Sequence, residues 1–152
     1  MKIKIDYIKE GDNELIIRCK EIDDEILNIM SLLNMKNRKI TGYIENTLHM
    51  LLPDQIYYLE SVDDVVFAYT DHKVFKTSMT LSQLEQTYHD FGYFRCSKSM
   101  ILNLNMITTL KNDIGNRIIA TLRNDEQIVI SRHYTKALRE FLKNRIMEEG
   151  NL

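Results

Sequence analysis

The stretch Tyr93-Phe94-Arg95-Cys96-Ser97-Lys98-Ser99-Met100-Ile101-Leu102-Asn103-Leu104 decides how the chain is read. Apolar residues stand on both sides, yet Ser97, Lys98 and Ser99 occupy positions where a buried strand would carry Val or Ile. Hydroxyls flanking an ammonium, with backbone N–H groups nearby, all donate hydrogen bonds and one adds charge. That set suits an oxyanion or the edge of a base. The plainer reading of the same residues is a solvated turn between two strands.

Charge outside the stretch favours the first reading. The 152 residues carry a formal net charge of −2, which by itself argues against a polyanion partner. The distribution reverses this: residues 93–147 hold ten Lys/Arg against four Asp/Glu, and residues 1–92 hold ten against sixteen. The basic half contains the stretch, and an asymmetry of this kind marks a polyanion-facing surface better than the overall balance does.

Upstream, residues 40–45, 47–52, 55–60, 65–70 and 73–78 read as short strands, with Pro53-Asp54 breaking the second from the third and Asp71-His72 at a hairpin tip. Thr80-Leu81-Ser82-Gln83 fits a capping box and opens a short helix burying Leu81, Leu84 and Tyr88. Further back, residues 2–8 and 14–18 read as a hairpin about Gly11-Asp12-Asn13. Ile22, Ile26, Ile29, Met30 and Leu33 then recur at helical spacing over residues 21–36. Glu21, Asp23, Asp24 and Glu25 lie in the first turn and Lys36 at the end, matching the helix dipole. Leu27, Leu32 and Met35 widen the apolar face beyond one stripe, which fits either burial within the chain or a dimer seam.

Downstream, residues 106–111 and 117–122 form a predicted hairpin, and residues 127–130 follow a turn at Asn124-Asp125. Tyr134, Ala137, Leu138, Phe141, Leu142 and Ile146 mark a C-terminal helix. Its start, Ser131-Arg132-His133-Tyr134-Thr135-Lys136, gathers cations where the free N–H groups of a helix already carry partial positive charge. An anion such as phosphate would offset that cluster; the alternative is side chains pointing into screening water.

Other classes find no support. The start, Met1-Lys2-Ile3-Lys4-Ile5-Asp6, alternates apolar and charged residues instead of forming a signal peptide, and no apolar run approaches a membrane span, so a cytoplasmic location is expected. Cys19 and Cys96 are far apart and no Cys/His cluster has metal-ligand spacing, so reduced thiols, no metal and no cofactor are expected. His49, His72, His89 and His133 are scattered, Asp63-Asp64 is an isolated acidic pair, and no nucleophile motif or phosphate-cradling Gly-rich loop appears. The chain does not read as an enzyme.

Three motifs, Ile56-Tyr57-Tyr58-Leu59-Glu60-Ser61, then Phe94-Arg95-Cys96-Ser97-Lys98-Ser99 with Asn103, then Ile130-Ser131-Arg132-His133-Tyr134, resemble the LytTR DNA-binding domain in order and spacing. The likeness covers roughly residues 38–146. It implies a mainly β (α+β) fold, an elongated domain of small, mostly antiparallel sheets with short helices, whose loops enter successive major grooves of double-stranded DNA in transcription regulation. By residue match, Lys98 and Arg132 stand where the family contacts bases, and Ser97, Ser99, His133, Tyr134 and Lys136 where it contacts the DNA backbone. The first loop departs from the pattern: Asp63-Asp64-Val65-Val66 stands where Gly or Asn followed by a polar or basic residue is expected.

Two units are therefore expected: a β-β-α extension over residues 1–37, for packing or dimerisation, and a LytTR-like DNA-binding domain over 38–148. Residues 1–37 are too few for the receiver domain that many family members carry, and control by phosphorylation in cis is not expected. A homodimer, or protomers paired on repeated half-sites, would supply the missing occupancy. The competing reading is an RNA-binding or protein-interaction module using the same basic face. RNA recognition by a sheet would want exposed aromatics, whereas the aromatics here fall mostly in runs that read as core.

Overall fold

The computed structural model describes residues 1–36 and 38–150. Asn37, the last residue of the expected extension, and the side chains of Leu32, Met35, Lys36 and Ile146 lie outside the described residues. The element order is α1 (Asp24–Lys36), β1 (Ile40–Ile44), β2 (Thr47–Leu51), β3 (Tyr58–Val62), β4 (Val65–Tyr69), β5 (Val74–Thr77), α2 (Leu81–Tyr88), β6 (Tyr93–Ser97), β7 (Met100–Asn103), β8 (Ile107–Asn112), β9 (Ile118–Leu122), β10 (Gln127–Ile130) and α3 (Arg132–Gly150). Seven strands pair antiparallel in the order β2-β1-β5-β4-β3-β7-β6. Three more form a second antiparallel sheet in the order β10-β9-β8.

Period-2 alternation in β6 and β7 lets one hairpin serve two cores. Tyr93 and Ile101 face a cluster with Leu59, Phe75 and the α2 residues Leu81, Leu84 and Tyr88. Phe94, Cys96 and Leu102 face the other way, into a cluster with Ala120, Leu122 and Ile130 of the second sheet and Leu138 of α3. The seven-stranded sheet is thus covered by α2 on one side and by the three-stranded sheet with α3 on the other. Gly42 lies in β1 because a Cβ there would come within 2.8 Å of Phe75 Cβ, a separation only a missing side chain permits.

The capping box forms as expected: the Gln83 amide donates to Thr80 Oγ1 at 3.2 Å, and the Thr80 amide donates to Gln83 Oε1 at 3.0 Å. The third strand begins later than expected. Pro53–Gln55 forms a 3-10 turn, the buried Asn103 side chain donates from Nδ2 to Ile56 O at 2.8 Å, and the strand begins at Tyr58. Asn103 Oδ1 in turn accepts the Asn105 amide at 3.1 Å. A side-chain tie of this kind leaves no trace in periodicity.

The β-β part of the expected extension is not formed: residues 1–23 contain no strand. Ile3 and Ile5 are 70% and 71% exposed, and a two-stranded hairpin with nothing covering its apolar side is marginal in water. The helix begins at Asp24 instead of Glu21, because Asp23 Oδ1 accepts the Ile26 amide at 3.0 Å and caps it. Of the residues that widen the apolar face of α1, Leu27 is described and is 51% exposed; in the stripe itself Met30 is 43% exposed, and Ile26 and Ile29 are half-buried.

Candidate nucleic-acid interface

The stretch 93–104 is a hairpin with its polar interruption at the tip. Ser97 pairs with Met100, and Lys98-Ser99 form a two-residue loop, both exposed. Ser97 is half-buried and its Oγ accepts the Ser99 amide at 3.3 Å, which leaves its hydroxyl proton available to donate outward. On the opposite face of β6, Cys96 is fully covered, and burial pushes its thiol up to about 12.

Two backbone hydrogen bonds align this tip with two other loops. The Ser61 amide, near the end of β3, donates to Ser99 O at 2.8 Å, and the Ser131 amide, just before α3, donates to Cys96 O at 3.0 Å. The loops 62–65, 97–100 and 131–134 therefore follow one another along one edge of the molecule. Lys98 and Arg132, separated by 34 positions in sequence, project from the neighbouring second and third loops.

In the third loop, α3 opens at Arg132 with no acidic residue in its first turn. Arg132, His133 and Lys136 are exposed, whereas Tyr134 is half-buried and packs against the second core. Thr135 is buried and its hydroxyl donates to Arg132 O at 3.0 Å, which fixes the first turn. The five residues expected at a DNA backbone thus divide: Ser99, His133 and Lys136 are fully presented, and Ser97 and Tyr134 are presented in part.

In the first loop, Asp63 and Asp64 are the central residues of the β3–β4 hairpin, with φ of 50° and 63°. A two-residue hairpin loop prefers φ > 0 at both positions, and Asp tolerates that region better than most residues. The same backbone demand accounts for the Gly or Asn expected there. Val65 and Val66 are not loop residues; they begin β4. Asp64 shares with Lys98 and Ser99 a cleft that Thr77, Ser78 and Thr80 also line, so the acidic departure lies beside the basic tip.

One residue given no role in the sequence reading stands out. Arg95 Nε donates to Ser97 O at 2.9 Å, its Nη2 donates to Lys98 O, and its Nη1 lies 3.5 Å from Glu85 Oε2 on α2. The available signal was positional: alternation puts Arg95 and Ser97 on one face, directly beneath the tip.

No two consecutive helices adjoin; five strands separate α1 from α2 and five separate α2 from α3. Among the described residues no group of His, Cys, Asp and Glu could hold a metal ion, and no helix is long and apolar enough to cross a membrane.

Residues 46–143 match the family model described as the LytTr DNA-binding domain. An uncharacterized HTH-type transcriptional regulator of Staphylococcus aureus (strain MSSA476) is 26% identical over 136 residues, covering 88% of this chain and 92% of that protein. The sensory transduction protein LytT of Enterococcus faecalis (strain ATCC 700802 / V583) is 26% identical over 98 residues, covering 64% of this chain and 40% of that one. Among solved structures, a LytTr DNA-binding domain from Bacillus cereus superposes with a TM-score of 0.66 at 20% identity, covering 70% of this chain and 97% of that chain. The match spans well over half of the sequence and includes all three aligned loops: the chain belongs to the LytTR family of DNA-binding domains.

Proposed function

We propose that this chain regulates transcription by binding specific sequences of double-stranded DNA, its three aligned loops entering the major groove. The observation that carries this reading is the pair of backbone hydrogen bonds, Ser61 to Ser99 and Ser131 to Cys96, which bring three polar loops from distant parts of the chain onto one edge. Lys98 and Arg132 read base edges, each guanine O6/N7, the acceptor pair that a cation in the major groove meets most often. Ser97, Ser99, His133, Tyr134 and Lys136 hold the phosphates, with the cationic start of α3 receiving one of them. Asp63 and Asp64 face the same polyanion and weaken binding at that end.

Two copies then act side by side, joined through residues 1–36. The exposure of Leu27, Met30 and Leu33 on α1 supports pairing between copies over packing within one chain. Such pairing raises occupancy of repeated half-sites above what one module with few base contacts achieves.

The RNA reading is disfavoured by where the rings lie. Tyr57, Tyr58, Phe75, Tyr88, Tyr93 and Phe94 are all buried, so a stacking platform on the sheet is not available from them. A salt titration comparing duplex DNA with single-stranded RNA tests the proposal. Duplex DNA should bind more tightly at every salt concentration, with log affinity falling linearly in log salt. Equal or tighter binding of the RNA would overturn it.

A further inference from the structure

We infer that Arg95 is a positioning residue for recognition: held by Glu85, it fixes the Lys98-Ser99 turn from beneath and so sets where Lys98 meets a base. The inference rests on the reading of Lys98 as a DNA contact and goes beyond it, since Arg95 itself faces the protein.

The turn needs outside support. Two-residue hairpin loops favour backbone conformations with positive φ, because those match the twist of the flanking strands. The Asp63-Asp64 loop adopts them, whereas neither Lys98 nor Ser99 has positive φ. The register of β6 against β7 also shifts between Arg95 and Ser97, so the regular ladder is interrupted just before the tip. The twist of the flanking strands therefore does not by itself set the shape of this turn.

Arg95 supplies what is missing. Its guanidinium donates to the carbonyls of both Ser97 and Lys98, two consecutive acceptors at the end of the interrupted ladder. The planar fork fixes the direction of its donors, so bonding both carbonyls also fixes their relative orientation. Glu85, one turn before the end of α2, lies 3.5 Å from the third corner of the fork. It offsets a charge that would otherwise lie under Lys98, and it ties the turn to a helix anchored by Leu84 and Tyr88. With a side chain only 20% exposed, Arg95 is poorly placed to meet a phosphate.

A double-mutant cycle in the full-length protein tests this, using as probes a duplex selected from a random library by the unmodified protein and a random-sequence duplex. Arg95→Lys keeps the charge and loses the fork. We expect it to weaken binding to the selected duplex by about ten-fold or more, with binding to the random duplex changed by no more than about two-fold. In a Lys98→Ala background the same substitution should cost no more than about two-fold, because both changes remove one interaction. Glu85→Gln, on a partly exposed side chain, should reproduce the specific loss in milder form, about two- to four-fold, with thermal melting confirming that each variant folds.

Unchanged affinity of Arg95→Lys for the selected duplex would make Arg95 a simple charge and overturn the inference. Equal costs with Lys98 present and absent would do the same, since the two residues would then act independently. If Lys98→Ala alone leaves the selected duplex bound as before, the reading of Lys98 as a base contact fails instead, and the positioning role falls with it.

Discussion

The Ser131 amide donates to Cys96 O at 3.0 Å. This bond joins the residue that precedes Arg132 to the residue two before Lys98, so the two cations are carried by elements that share a core. The backbone just before each of them is thereby tied to a buried strand.

Arg132→Ala should cost about 1–3 kcal/mol on the cognate site and much less on random DNA. Titrating both duplexes at one salt concentration measures the difference. Equal weakening on the two would make Arg132 a phosphate contact.

If the β3–β4 loop meets the polyanion as proposed, Asp64→Asn should tighten non-specific binding at low salt by removing a negative charge. Asn tolerates the left-handed backbone at this position as well as Asp does, so the change tests charge and not conformation. An affinity that stays constant across a salt series would mean that the β3–β4 loop stands clear of DNA.

Asn103→Ala should destabilise the fold by about 1–3 kcal/mol, because it strips the carbonyl of Ile56 of its donor in a buried site. Chemical denaturation reports the loss directly. A variant as stable as the parent would show that this carbonyl finds another donor.

Cys19 is exposed and Cys96 is buried. Burial raises the Cys96 thiol from its ordinary 9.0 to about 12, so it stays protonated near neutral pH. At pH 8 iodoacetamide should label Cys19 in the folded protein and reach Cys96 only after denaturation. Because the folded value lies above the unfolded one, this thiol contributes stability that is fully present below pH 9 and is lost as pH rises toward 12. Labelling of both thiols at similar rates in the native protein would contradict this.

Substituting Lys at both Leu27 and Met30 should reduce self-association without unfolding the β-domain, since both side chains are exposed on α1. Sedimentation of the two proteins at micromolar concentration compares them. If both sediment alike, this face of α1 does not pair the protomers.

Much of this molecule is legible in its sequence because local chemistry governs those parts. Residues 127–130 alternate between turn signals and form β10 with those bounds; Thr80 and Gln83 carry the two groups of a capping box and make both bonds. The polar tip of the 93–104 hairpin is visible because three hydrogen-bonding residues interrupt an apolar run. Other features depend on contacts between distant residues. The late start of β3 follows the 3-10 turn Pro53–Gln55, and the tie that holds Ile56 there comes from Asn103, 47 positions away, which no local pattern encodes. Residues 2–8 have the alternation of a strand, but alternation only states which face would be buried, and here nothing covers that face.

The sequence by itself determined which residues could meet DNA, because charge and hydrogen-bonding capacity belong to side chains wherever the chain goes. Only the tertiary structure decided which of them meet in space: the ladders and the Ser61–Ser99 and Ser131–Cys96 bonds align three loops that are remote in sequence. It also decided that Arg95, a cation like its neighbours on paper, turns inward to hold the tip while Lys98 turns outward. That division depends on the carbonyls and the carboxylate that surround each side chain, and these are assembled only when the strands and α2 have packed.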